Sequence, residues 1–101
     1  FVETALPTQT ADETVFQAFH ILNAFDIPKG AVRAPTPEGV HTDYTIWTSA
    51  ADTKNGTYYF KTYLSQAVQG ITVANALEGL DAPKFITSET GFNVTDRTND
   101  F

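Results

Sequence analysis

Two amino acids are missing from this 101-residue chain, which contains no cysteine and no methionine. Without cysteine, the chain can form no disulfide, offer no thiolate to a metal and supply no cysteine nucleophile of its own. Since methionine is missing even at position 1, we expect that the first residue of the chain is not the first residue translated. We therefore expect a processed or truncated product, whose upstream part was removed or is carried as a separate chain.

Basic residues are also scarce, with six Lys and Arg against twelve Asp and Glu and a net charge of -6. Binding to a phosphate backbone needs clustered basic side chains, so this composition argues against a nucleic-acid partner. No apolar run approaches the roughly 18 to 20 residues that span a bilayer, which argues against a membrane segment. The hydrophobic share of 42% and the aromatic share of 13% indicate one small folded domain, or a piece of a larger one.

The clearest local signal is a helix at about residues 11–25. Thr10 and Glu13 have the spacing of a capping box, in which both side chains satisfy free backbone amides. Pro28 predicts the end of the helix, because the residue before a proline disfavours helical geometry. The apolar residues that recur at helical spacing after the cap are Val15, Phe16, Phe19 and Leu22.

The rest of the chain reads as loop, hairpin and tail. Residues 28–42 contain three prolines and two glycines, so we interpret them as a long ordered loop. Asn55-Gly56 predicts a tight two-residue hairpin turn with two positive φ angles. The remaining predicted elements are strands at about residues 43–51, 57–64 and 69–74 and a tail at 83–101 that wraps across the surface.

The predicted hairpin carries apolar or aromatic side chains on both of its faces. Ile46 and Trp47 alternate on the first strand, and Tyr58 and Tyr59 alternate on the second. An antiparallel sheet with one face in water would instead alternate apolar and polar residues. One helix cannot cover two faces, so we expect a missing layer that belongs to another polypeptide or to the removed upstream part.

Residues with catalytic or metal-binding potential are isolated from one another. His20 lies on the predicted helix without a partner at helical spacing, which favours a structural role. His41 and Asp43 form a His-x-Asp pair, but a metal site needs three or four ligands and the chain has two histidines and no thiol. The Gly-x-Ser-x-Gly context of a nucleophile elbow is missing around the serines Ser49, Ser65 and Ser88.

The acidic residues have ordinary explanations. Asp12 and Glu13 suit the first turn of a helix, where negative charge is favoured, and Asp96 and Asp100 belong to a polar tail. The residues alone therefore predict no catalytic group, no metal site and no cofactor, and they leave the substrate-binding residues unknown. Two segments match the N-glycosylation pattern, Asn55-Gly56-Thr57 and Asn93-Val94-Thr95, of which the first is better explained as a turn.

Two separated stretches resemble the C-terminal part of the choloylglycine hydrolase family, which includes bile salt hydrolases and penicillin V acylases. Residues 19–30 read FHILNAFDIPKG, and residues 44–63 read YTIWTSAADTKNGTYYFKTY. The resemblance covers roughly residues 1–89. It implies an α+β fold that is the C-terminal part of an αββα sandwich of the N-terminal nucleophile (Ntn) hydrolase type. It also implies hydrolysis of a linear carbon–nitrogen amide in a small molecule, such as a conjugated bile salt, penicillin V or an acyl-homoserine lactone.

The chain differs from the family at the catalytic nucleophile. The family's nucleophile is an N-terminal cysteine, whereas this chain begins with Phe1 and has no cysteine. The supporting Arg, Asp and Asn residues lie upstream in the family, and Arg33 and Arg97 do not sit in a matching context. We therefore expect residues 1–101 to be a C-terminal fragment of one Ntn-hydrolase domain, whose partner is the N-terminal remainder of the same enzyme and which is inactive alone.

A different class of function stays open beside this one. A stand-alone binding module could use Trp47, Tyr58, Tyr59 and Tyr63 as an exposed contact surface. Nothing in the residues fixes the compartment, although the tail beyond Glu89 favours a periplasmic or secreted bacterial protein. The resemblance also implies a homo-oligomer, because members of the family commonly form homotetramers.

Overall fold

The computed structural model describes residues 1–91 and 94–100. The fold is α+β, with one main helix and antiparallel sheets that include a hairpin, which confirms the predicted class and is consistent with a partial Ntn-type fold. The elements follow in the order α1 (Ala11–Asn23), β1 (Val32–Thr36), β2 (Gly39–Asp43), β3 (Trp47–Asp52), β4 (Thr57–Thr62), β5 (Gln69–Thr72), α2 (Val73–Leu77) and a 3₁₀ turn (Thr98–Asp100).

Helix α1 begins where the capping box predicts. The Thr10 side chain accepts a hydrogen bond from the Glu13 backbone N–H at 3.1 Å. The Glu13 carboxylate accepts in turn from the backbone N–H of Gln9 at 2.8 Å. The helix ends at Asn23, two residues earlier than predicted, because the amides of residues 24–26 donate to carbonyls three residues back rather than four.

Strands β3, β4 and β5 form an antiparallel sheet in sequence order. Between β3 and β4, Asp52 pairs with Thr57 next to the loop that joins the two strands. Between β4 and β5, Tyr58 pairs with Ile71. Helix α1 packs against β3. The buried apolar side chains of the described residues are Val15 and Phe19 on α1 and Phe60 on β4.

The prediction of a loop without regular structure at residues 28–42 was wrong. Strands β1 and β2 pair as an antiparallel hairpin, with Thr36 opposite Gly39 and Val32 opposite Asp43. The two prolines that suggested a loop are compatible with this hairpin, since Pro37 lies in its turn and Pro35 lies in a two-stranded sheet that has only edge strands. Strand β3 begins at Trp47, four residues after the predicted start at residue 43, because residue 43 belongs to β2 and residues 44–46 lie in neither strand.

The turn between β3 and β4 also differs from the prediction of a two-residue hairpin. The loop has four residues, 53–56, and Gly56 is the residue in it with a positive φ, of +66°. The Asp52 carboxylate accepts hydrogen bonds from the backbone N–H groups of Lys54 and Asn55, each at 3.1 Å. This side-chain capping closes the turn and leaves Asn55 at a negative φ.

The final third of the chain contains two short elements that the sequence did not predict, the helix α2 and the 3₁₀ turn at Thr98–Asp100. Strand β5 ends at Thr72, and the five-residue helix α2 follows directly. Residues 82–91 then run without a helix or strand, and the predicted acceptor Asn93 lies outside the described residues. No helix in the described part of the chain is both long and apolar enough to cross a membrane.

Candidate functional site

The sheet has one face packed on α1 and one face without a covering layer in the described residues. Lys61 reaches Asn23 of α1, so its neighbours on β4, Phe60 and Thr62, project to the opposite side. Register places Trp47 beside Thr62. We call this surface the open face, and it consists of Trp47, Tyr58, Phe60, Thr62 and Ile71.

The open face forms the floor of an apolar groove of about 460 Å³. Trp47 is 62% exposed there, whereas Phe60 at the centre is only 8% exposed. The rings of Tyr58 and Phe60 stack with centroids 5.9 Å apart. Through Ile71 and Ile86 the groove continues into a second one of about 780 Å³ beside α2. The surface therefore presents large apolar side chains in one continuous depression.

The tail forms one wall of this groove, and a buried serine fixes it there. Ser65 is 1% exposed, and its Oγ accepts a hydrogen bond from the backbone N–H of Thr90 at 2.9 Å. The same hydroxyl lies 3.3 Å from a Glu89 carboxylate oxygen and 3.2 Å from the Gly91 carbonyl, either of which it can donate to. A second link joins the Gln69 side-chain amide to the Ser88 carbonyl at 3.1 Å. We call these contacts the Ser65 clasp.

On the other side of the sheet, a buried lysine joins α1 to the β4–β5 connection. The Lys61 ammonium donates to the Asn23 side-chain oxygen at 2.6 Å and to the Gln66 side-chain oxygen at 3.4 Å. Gln66 is itself held by its amide group, which donates to the Thr62 carbonyl at 2.9 Å. Asn23 ends α1, where a positive charge also interacts favourably with the helix dipole. The arrangement cross-links helix and sheet and leaves the lysine little access to a ligand.

The two sequence stretches that carry the family resemblance meet in space. The Ile27 backbone N–H donates to the Thr45 hydroxyl at 2.9 Å, and the Thr45 N–H donates to the Ile27 carbonyl at 3.0 Å. The Lys29 backbone N–H donates to the Tyr63 hydroxyl at 2.9 Å, while the Lys29 ammonium lies 4.8 Å from the centre of the Tyr44 ring. These motifs therefore build a junction between the end of α1 and the sheet.

The histidines singled out from the sequence do not converge on one site. His20 is exposed on α1. His41 Nε2 lies 2.8 Å from an Asp43 carboxylate oxygen, and both side chains are exposed on β2. Over residues 1–91 and 94–100, no group of three or more His, Asp or Glu side chains is placed to hold a metal ion.

The serines and acidic residues are dispersed in the same way. Ser49 lies on β3, Ser65 is buried in the clasp and Ser88 contributes its carbonyl to Gln69. Arg33 donates to the Gly30 carbonyl at 2.8 Å, and Arg97 pairs with Asp100 in the tail. Hydrogen bonds from the side chain and backbone of Thr98 lower the pKa of the Asp96 carboxyl.

The aromatic residues proposed as one contact surface are also divided by the fold. Trp47 and Tyr58 lie on the open face, whereas Tyr59 alternates to the side of β4 that carries Lys61. Tyr63 packs edge-on against Tyr44 with ring centroids 5.0 Å apart. Sequence reasoning missed the Ser65 clasp, whose members are about 25 residues apart in the chain. It also missed Lys61, whose one visible signal is a lysine within a run of aromatic strand residues.

Comparisons with known proteins agree with the resemblance. The model of the choloylglycine hydrolase family, described as linear amide C–N hydrolases, matches residues 1–88. A similar curated protein is the bile salt hydrolase/transferase of Lactiplantibacillus plantarum, which is 31% identical over 83 residues. This match covers 82% of the chain and 24% of the relative, so the chain spans about a quarter of the length of the curated relative it matches. The chain belongs to the choloylglycine hydrolase family.

Proposed function

We propose that this chain is the C-terminal segment of a linear-amide C–N hydrolase, and that it supplies scaffold while the rest of the enzyme supplies the nucleophile. We call the complete enzyme the parent hydrolase. The observation that carries the proposal is the family match over residues 1–88. Since the chain contains no cysteine, a cysteine nucleophile has to come from the remainder of the parent hydrolase.

The reaction we propose for the parent hydrolase is acyl transfer through a cysteine. The thiolate of an N-terminal cysteine attacks the amide carbonyl, the C–N bond breaks, and the cysteine's own α-amine delivers the thiol proton to the leaving nitrogen. Water then cleaves the thioester, releasing the acid and restoring the thiol. The named activity of the curated relative makes a conjugated bile salt the first substrate to assay, with penicillin V and an acyl-homoserine lactone beside it.

The open face supports a scaffold role. A sheet in a stable domain is covered on its hydrophobic surfaces by another layer of secondary structure. Here α1 covers one face, while Trp47 and Tyr58 on the other face remain substantially exposed. We propose that the N-terminal remainder of the parent hydrolase provides the second layer.

A second candidate function is a stand-alone interaction module, favoured by the same exposed Trp47 and Tyr58. In that case the open face would bind a separate partner, and the chain would fold cooperatively by itself. The scaffold proposal predicts the opposite behaviour. An isolated chain with an uncovered sheet face and free strand edges should self-associate.

The deciding experiment is mass measurement of the protein isolated through a tag placed after Phe101, first under native and then under denaturing conditions. We expect additional polypeptide, either as a second chain or as sequence continuous with Phe1, that begins with cysteine. The preparation should hydrolyse an amide substrate, and a Cys-to-Ser variant at that first residue should be inactive. A lone, cooperatively folded 11.1 kDa monomer without amidase activity would overturn the proposal. The native mass also tests the proposed homo-oligomer.

A further inference from the structure

The groove on the open face combines apolar side chains with a carboxylate, and both restrict which kind of polypeptide segment can bind there. Its floor is formed by Trp47, Tyr58, Phe60 and Ile71, and its tail wall contributes Ile86 and the carboxylate of Glu89. Large apolar side chains on the floor require apolar groups opposite them. An occupant that covers the groove also removes water from Glu89, which is costly unless a positive charge replaces the lost hydration.

The charge that would neutralise Glu89 is not supplied within the described residues. In residues 1–91 and 94–100, the close contacts between basic and acidic side chains are His41–Asp43 and Arg97–Asp100. The Glu89 carboxylate instead faces the neutral hydroxyl of Ser65 at 3.3 Å. The chain as a whole carries a net charge of -6, so a basic occupant is also favoured at longer range.

The groove exists in this form because the clasp holds the tail beside the sheet. Phe85 is 89% exposed and Ile86 is 63% exposed, so apolar burial contributes little to fixing this segment. The polar contacts of Ser65 and Gln69 are what attach residues 88–91. Three of the clasp's residues, Glu89, Thr90 and Gly91, lie beyond the family match at residues 1–88.

We propose that this groove receives a segment from the N-terminal remainder of the same parent hydrolase, with apolar side chains against the floor and a Lys or Arg beside Glu89. The inference rests on the proposed function and names the chemistry of its partner. The share of the curated relative that lies outside this chain is about three quarters, which provides ample polypeptide for such a segment. The Ser65 clasp positions the wall and with it the Glu89 carboxylate.

Photo-crosslinking in the full-length parent hydrolase tests the occupant. Benzoylphenylalanine is placed at Ile86, which lines the groove, and in a matched control at Phe85, the neighbouring residue that is not among its lining residues. We expect the Ile86 probe to give an adduct with a peptide upstream of Phe1 that contains Lys or Arg, at several times the yield of the Phe85 probe. Adducts with a second copy or another protein, equal yields from both positions, or no adduct would each overturn the inference.

Hydrogen exchange tests the clasp in the same protein. The Ser65→Ala variant removes the acceptor of the Thr90 amide, which should then exchange at least tenfold faster, and the Ile86 crosslink should lose yield. Ser88→Ala is the matched control, because Ser88 contributes its backbone carbonyl and should keep both signals. Unchanged Thr90 exchange in Ser65→Ala would contradict the clasp.

Two lysine substitutions test whether a basic side chain lies beside Glu89. Glu89→Lys should lower the melting temperature of the parent hydrolase by roughly 2 °C, whereas Glu78→Lys, at an exposed position outside the groove, should leave it unchanged. Equal shifts would contradict a basic partner. Amide hydrolysis is measured on every preparation: an active enzyme with no crosslink defeats this inference alone, whereas an inactive full-length enzyme defeats the proposed function.

Discussion

The molecule contains two antiparallel β units of similar strand length that differ in what packs on them. In the β1–β2 hairpin, all five residues of β1 are exposed. In β4, by contrast, the three consecutive residues Phe60, Lys61 and Thr62 are buried. Helix α1 covers the side of the sheet that carries Lys61, whereas Phe60 and Thr62 project to the open face, beside the tail wall.

This contrast shows that strand pairing and burial are separate sources of order. The hairpin is held by its backbone ladder and its turn, and an isolated two-stranded ribbon of this kind is marginal in water. The sheet adds side-chain packing on α1, the Lys61 cross-link and the Ser65 clasp. Substitutions in the sheet should therefore change global stability, whereas those in the hairpin should remain local.

The largest expected effect comes from the contact between α1 and the sheet. Phe19→Ala in the parent hydrolase should lower the free energy of unfolding by about 3 kcal/mol, because Phe19 is 4% exposed and its removal leaves a cavity. Phe16→Ala, three residues away and 57% exposed, should cost less than about 1 kcal/mol. Denaturant unfolding followed by circular dichroism measures both. Equal losses would show that the outer side of α1 is covered as well.

The second largest loss of stability is expected from substitution of Lys61. Lys61→Ala should lower the free energy of unfolding by about 2 kcal/mol, because it removes a buried side chain that donates hydrogen bonds to Asn23 and Gln66. Lys61→Met should cost less, since it keeps most of the methylene packing. Lys54→Ala, in the exposed turn, is the control and should stay within about 0.5 kcal/mol. If Lys61→Met costs as much as Lys61→Ala, the hydrogen bonds rather than the packing carry the contribution.

The same contrast explains which parts of the fold were predictable. Helix α1 could be located because its cap and its apolar stripe are both local patterns, and packing on β3 agrees with them. The β1–β2 hairpin was not predicted because few other side chains pack against it. Its strands also show no alternation of apolar and polar residues. Pro35, Pro37 and Gly39 then dominated the interpretation, although they are compatible with an edge strand and its turn.

The candidate site was predictable in outline and not in detail. Alternation along the β3–β4 hairpin indicated two apolar faces, and the open face is one of them. The groove wall depends on hydrogen bonds between Ser65 and Thr90, which no local pattern encodes. The prediction of a two-residue turn between β3 and β4 was wrong because Asp52, which lies outside the Asn-Gly pair, caps the backbone and allows a longer loop.

A pair of glycine substitutions compares the two β units more finely. At Gly70→Ala, the added Cβ would lie 3.2 Å from the Tyr59 ring, so we expect a loss of about 1 kcal/mol in global stability. At Gly39→Ala the new Cβ meets no atom within 4 Å, but a φ of +130° strains any other residue. Its effect should appear as faster hydrogen exchange within β1 and β2, with little change in global unfolding. A global loss at Gly39 would show that the hairpin is packed in the parent hydrolase.

The smallest effect concerns the pH dependence of the β3–β4 turn. Hydrogen bonds from the Asn55 side chain and backbone, with a further one from the Lys54 N–H, lower the pKa of the Asp52 carboxyl from its ordinary value of 3.8. A carboxyl whose pKa is lower in the folded state stabilises the fold above its unfolded pKa, and this contribution is lost as the pH falls through the folded value. Carboxyl titration by NMR should therefore find the pKa of Asp52 below 3.8, and Asp52→Asn should remove its part of the acid dependence of unfolding.

Asp96 also has a lowered pKa but lies in the tail, so Asp96→Asn should leave the unfolding of the sheet unchanged. If both variants alter that unfolding equally, the tail is coupled to the sheet more tightly than the Ser65 clasp alone accounts for.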